Sequence, residues 1–184
     1  MRKWTQLLAL FIGLQLSAQE AEWTSIKDIN PFIGSGGHGH THPSAQAPFG
    51  MIQLGPNTRY DGWDGCGGYH YTDSAMYGFS CTHLSGTGVS DYGDLLILPY
   101  SSPTKEGDHI KFFKEDEHAQ AGYYACILDD GTRIEATAGD RTGILRIRFG
   151  EGSAPGIMVD LNFRDRVLKK SFEATGIGEW QGSR

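Results

Sequence analysis

Three histidines stand at every second position of "GHGHTHP" (residues 37–43): His38, His40 and His42. In an extended segment alternate residues share one face, so the three imidazoles could converge on zinc. Neighbours on one face of a strand are ~7 Å apart, however, which is wide for a single tetrahedral ion. A loop whose histidines hydrogen-bond nearby carboxylates is the competing reading. A second dense stretch, "RYDGWDGCGGYHY" (residues 59–71), brings together Asp61, Trp63, Asp64, Tyr69, His70 and Tyr71. Aromatic faces pack on the C–H faces of a pyranose, while carboxylates and amides accept its hydroxyl protons. That mixture suits a sugar site; a surface loop with a few anchored aromatics is the alternative.

Two other chemistries fit less well. Ser85 in "THLSGTG" lacks the glycine two positions before it that a nucleophile elbow has, and no strand-to-helix turn is legible around it. Neither "GSGGHG" nor "SGTGVSDYG" carries the lysine of a phosphate loop or a following helix.

The elements that must hold these residues read as strands. Of the 184 residues, 26 are glycine, densest between Gly34 and Gly93. Interleaved aromatics there predict structured loops with tight turns rather than disorder. "PFGMIQLGP" reads as a short buried strand between Pro48 and Pro56, and "DLLILPY" as a core strand stopped by Pro99. Asp130-Gly131 marks a hairpin between "YYACILD" and "TRIEATA". In "GILRIRFG", Ile144, Arg146 and Arg148 oppose Leu145, Ile147 and Phe149, giving one apolar and one basic face. Only "KEDEHAQAG" has helical composition. Strands of this length at intervals of about 8–12 residues predict an all-β fold, an antiparallel β-sandwich with long glycine-rich loops.

The first 18 residues stand apart. Arg2 and Lys3, an apolar run from Leu7 to Leu16, and small residues at Ser17 and Ala18 form the pattern of a secretory signal peptide. The run is shorter than the ~20 residues needed to span a bilayer. Cleavage after Ala18 leaves residues 19–184 as one domain for an exported location, periplasmic, cell-surface or secreted. Net charge is −6 without a cluster of Lys and Arg, which argues against nucleic acid and anionic membranes as partners. Cys66, Cys81 and Cys126 fit no metal spacing. Either Cys66 and Cys81 pair in an oxidising compartment, or all three are buried thiols.

"INPFIGSGGHGHTHPSAQAPFGMIQLGP" followed by "GWDGCGGYHYTDSAMYGFSCTHLSGTGVSDYGDLLILP" resembles the start of glycoside hydrolase family 92, from about Ile29 to Pro99. The resemblance implies the N-terminal β-sandwich of a two-domain, exo-acting, inverting α-mannosidase that depends on calcium. In that family the acid, the base and the calcium ligands come mainly from a C-terminal (α/α)₆ barrel, which this chain is too short to contain. The chain is therefore expected to be a fragment without catalytic carboxylates of its own. Its partners would be a mannose-containing glycan and the missing barrel. The resemblance places Trp63, Asp64, Cys66, His70, His83 and Ser85 near the sugar. Two departures stand out: Gly65 replaces a tryptophan common in the family, and Cys81 replaces a histidine. A free-standing carbohydrate-binding or interaction module without chemistry is the alternative function.

Overall fold

A computed structural model of the chain describes residues 25–101, 107–151, 154–164 and 166–184. The expected signal peptide, residues 1–18, lies outside the described residues. Among the described residues, thirteen strands follow in chain order: β1 (Ala45–Gln46), β2 (Gln53–Asn57), β3 (Ala75–Met76), β4 (Gly78–Ser80), β5 (Leu96–Tyr100), β6 (Ile110–Lys111) and β7 (His118–Gln120). Then come β8 (Tyr123–Ile127), β9 (Arg133–Ala138), β10 (Gly143–Arg148), β11 (Gly156–Asp160), β12 (Ser171–Gly176) and β13 (Glu179–Ser183). The only helical pieces among the described residues are single 3₁₀ turns at Ile26–Asp28 and Lys114–Asp116.

The fold is the antiparallel β-sandwich the patterning predicts. One sheet runs β1-β2-β4-β5-β11 and the other β10-β9-β8-β7. Their facing side chains make the core, with Ala45, Leu54 and Phe79 on one side and Tyr124, Cys126, Ile134 and Ala136 on the other. Phe79 meets Tyr124 edge-on at 5.9 Å, and Met76, Phe112 and Leu128 close the rim. Burying side chains of this size contributes roughly 1.5–3 kcal/mol each against the entropy of ordering the chain.

Local expectations and the fold differ at three places. The strand expected across "PFGMIQLGP" begins only at Gln53, because Gly50 N–H turns back to the Ala47 carbonyl at 2.9 Å. Phe49 sits in that turn in the left-handed region (φ 61) and is fully exposed. Pro99 does not stop β5: it lies in register with Ile157 of β11. β4 meets β5 at Phe79–Ile97, so by Pro99 the missing N–H faces no strand on that side. "KEDEHAQAG" is not a helix but one 3₁₀ turn followed by β7, whose pairing with β8 claims its backbone.

The hairpin and the alternation hold as read. β8 and β9 pair across Asp130-Gly131, and Arg146 of β10 lies directly opposite Glu135 of β9. Glu135 takes hydrogen bonds from Arg146 Nε at 2.6 Å and Tyr123 Oη at 2.8 Å. These hold its carboxyl down at about 2. The basic face of β10 is thus answered by a cross-strand carboxylate. All three cysteines are free thiols.

Candidate functional site: the glycine-rich loops

Three loops, at residues 34–44, 58–74 and 81–95, gather above β2 and β4. The loops are tied to one another through buried imidazoles. His83 is 4 % exposed, with Nδ1 2.7 Å from the Gly67 carbonyl and Nε2 3.3 Å from both the Gly55 carbonyl and Ser80 Oγ. A carbonyl only accepts, so the short contact sets the proton on Nδ1. Ser80 Oγ is fixed in turn by Asn57 Nδ2 at 2.6 Å. Burial drives the His83 imidazole down to about 4, partly opposed by the two carbonyls. Gly68 (φ 100) passes so close that a Cβ there would lie 2.4 Å from Asn57 Oδ1 and 3.1 Å from His83 Nδ1. Only glycine fits both the conformation and the gap.

His70 does the same work for the second loop. It is 5 % exposed; Nε2 donates to the Gly37 carbonyl at 2.9 Å, and Nδ1 faces Thr72 Oγ1 at 2.9 Å. The loop's two ends are closed by an Arg59–Asp73 fork, with Nε–Oδ2 3.0 Å and Nη2–Oδ1 3.2 Å. Arg59 also donates to the Asp64 carbonyl at 3.1 Å. Cys66 is fully buried; its S–H donates to the Thr87 carbonyl, tying the second loop to the third, and burial pushes the thiol up.

The three alternating histidines have three different partners. His38 Nδ1 meets the Asp64 carboxylate at 2.9 Å, and this hydrogen bond lowers the Asp64 pKa. His40 presents its ring edge-on to Trp63 at 5.0 Å and 82°. His42 lies over His83 at 4.7 Å and 32°. Among the described residues, no group of three or more His, Cys, Asp or Glu is arranged to hold a metal ion. The zinc reading is replaced by a ladder of separate contacts.

Trp63 is the exposed feature of this assembly. Its indole is 63 % exposed and lies against Gly88, where a Cβ would sit 2.2–2.3 Å from the ring. His40 braces its edge and Asp64 follows it in the chain. The result is a fixed aromatic plate beside a hydrogen-bonded carboxylate. Such an arrangement stacks and orients a ligand bearing C–H faces and hydroxyl groups.

Of the six residues singled out from sequence, Trp63, Asp64 and Ser85 reach the surface, and Cys66, His70 and His83 lie inside the scaffold. Sequence reading did not find Gly88, the Arg59–Asp73 fork, or the anchor beneath the second loop. In that anchor Glu117, whose side chain is 2 % exposed, accepts from Tyr69 Oη at 2.8 Å, Tyr124 Oη at 2.7 Å and Lys114 Nζ at 2.6 Å. Lys114 Nζ also stands 4.8–4.9 Å from the ring centroids of Tyr69, Tyr71 and Phe112. Burial, then the Glu117 charge, pushes the Tyr69 hydroxyl upward, and burial pushes Cys126 up to about 12. Contacts 48 residues apart leave no local signal beyond the tyrosines of "GYHY".

Comparison with known proteins fits this geometry. Residues 28–184 match the Glycosyl hydrolase family 92 N-terminal domain. A family 92 alpha-mannosidase from Bacteroides thetaiotaomicron superposes with a TM-score of 0.71 at 38 % identity, over 75 % of this chain and 20 % of that one. That enzyme is also known in complex with mannoimidazole. A family 92 inverting mannosidase from the same organism gives 0.66 at 28 % identity, over 73 % of this chain and 19 % of its own. An uncharacterized secreted glycosidase of Arthroderma benhamiae is 28 % identical over 175 residues, 86 % of this chain and 22 % of that protein. The chain thus spans about a fifth of the length of these relatives.

Proposed function

Because the chain belongs to glycosyl hydrolase family 92, whose N-terminal domain it matches, we propose that it is the sandwich part of an exported, inverting exo-α-mannosidase acting on terminal α-mannosides of glycans. The observation that carries this reading is Trp63, packed against Gly88 and braced by His40, with Asp64 beside it. That plate supplies one wall of a sugar site. The acid and base of an inverting reaction flank the glycosidic bond with a water between them. In this reading they belong to the remainder of the parent protein, as does calcium, which prefers several oxygen ligands. Export is supported by the basic start and apolar run of residues 1–18 and by the secreted relative. Among the described residues no helix is long and apolar enough to cross a membrane.

The test uses the parent protein. It is expected to release mannose from an α-mannoside with the β-anomer formed first, as followed by proton NMR, and to lose that activity on chelation. Trp63→Ala is expected to raise KM more than it lowers kcat. The α-anomer as first product, or chelator-insensitive turnover, would overturn the proposal.

A further inference from the structure

The Trp63 plate exists only while two loops stay together. Trp63 belongs to the loop at residues 58–74, and Gly88, against which it packs, to the loop at 81–95. One side chain from outside both loops reaches between them. Arg164 follows β11 and stands 98 positions after Cys66, yet its Nη2 donates to the Cys66 carbonyl at 2.7 Å and to Ser90 Oγ. That nitrogen carries two N–H groups, one for each acceptor. Cys66 closely follows Trp63 in the one loop, and Ser90 closely follows Gly88 in the other. Ser90 Oγ donates in turn to the Tyr60 carbonyl at 3.3 Å, and Tyr60 Oη donates to the Arg164 carbonyl at 3.3 Å. A closed circuit thus leaves Arg164, passes through both loops and returns to Arg164.

The slot is cut to this arginine. A Cβ on Gly93 (φ 86) would lie 2.6 Å from Arg164 Cδ, and one on Gly68 (φ 100) would lie 2.9 Å from its Nη1. Arg164 itself has left-handed backbone (φ 69), as do Tyr92 (φ 65) and Leu95 (φ 57) of the third loop. Residues with a Cβ keep that conformation only where their surroundings over-determine it. Buried Phe163, next in the chain, meets Tyr60 edge-on at 5.5 Å and fixes the base of the side chain. We propose that Arg164 is a positioning residue: it sets the gap between Trp63 and Gly88, and so the angle of the indole, by acting through the two loops. Its consequence for sugar affinity rests on the function proposed above; the clamp does not.

Fluorine NMR of the full chain labelled with 5-fluorotryptophan tests this without any ligand. Trp63→Phe assigns the Trp63 resonance, and Trp180 on the β12–β13 hairpin serves as the internal control. Arg164→Met keeps a stem between the glycines and removes both side-chain hydrogen bonds. It is expected to shift the Trp63 resonance toward that of free 5-fluorotryptophan and to leave the Trp180 resonance in place. Arg164→Lys restores a charged donor without the planar fork, so it is expected to recover part of that shift. Ser90→Ala removes one of the two acceptors and is expected to give a smaller displacement in the same direction. A Trp63 resonance unmoved by Arg164→Met, or Trp63 and Trp180 displaced together, would overturn the inference. If Arg164→Met does not fold, Ser90→Ala decides, and an unmoved Trp63 resonance there overturns it equally. The mannosidase reading is judged separately, by mannose release from the parent enzyme, so either can fail alone.

Discussion

His42 and His83 lie ring over ring, 4.7 Å between centroids, inside the glycine-rich loops. Both imidazoles are held neutral by burial, and His83 further disfavours a charge on His42.

The pH dependence of stability follows with a definite sign. His83 has its folded pKa lowered from 6.5 to about 4, so the neutral form is the folded one. Stability is complete above about pH 6.5 and falls as pH drops toward 4, by about 3 kcal/mol for this group. Glu135 acts in a lower window, between 4.5 and about 2. Urea unfolding at pH 7, 5.5 and 4 is expected to show this loss, and His83→Gln to flatten it from a lower starting stability. A stability that stays level from pH 7 to 4 would contradict the stacked neutral pair.

Removing the buried acid should be costly. Glu117→Ala leaves Lys114 and two tyrosine hydroxyls without their common acceptor, and is expected to cost about 3–5 kcal/mol. Glu117→Gln keeps an acceptor and drops the charge, at about 1–2 kcal/mol. Chemical denaturation midpoints distinguish the two; equal effects would mean that an acceptor without the charge does not hold the anchor.

Gly88 should govern Trp63 and little else. Gly88→Ala places a methyl inside the indole's position, so the ring must lift from the loop. Loss of the nuclear Overhauser contact between the Trp63 and His40 rings is expected, with stability changed by less than about 1 kcal/mol because the indole is exposed. A retained contact would show that the backbone yields instead.

The β12–β13 hairpin carries a stacked Phe172–Trp180 pair at 5.4 Å and 5°, together with a fully exposed Ile177. Phe172, Ala174 and Trp180 share one face of this ribbon. Replacing Phe172 and Trp180 by threonine is expected to reduce self-association of the chain at high concentration, as read by light scattering. A native chain that does not associate, or scattering unchanged in the variant, would contradict a role for this face.

Local chemistry was enough for the sandwich. Alternation in residues 143–149, the Asp130-Gly131 turn and the spacing of strand-sized segments depend on neighbours in sequence, and each recurs in the fold. The dense signature around "GHGHTHP" and "WDGCGGYHY" likewise marked the loops that carry Trp63 and Asp64. Which of its residues face outward was decided by tertiary contacts. Cys66, His70 and His83 turned inward because carbonyls of distant loops were there to receive them. Trp63 stayed out because Gly88, 25 positions later by number, leaves room for its ring only along the surface. The alternating histidines show the same division: their spacing is a property of the sequence, but their separate partners exist only once Asp64, Trp63 and His83 are folded against them. Periodicity is short-range and survives in a string of letters; pairing across loops depends on three-dimensional proximity, which no local pattern encodes.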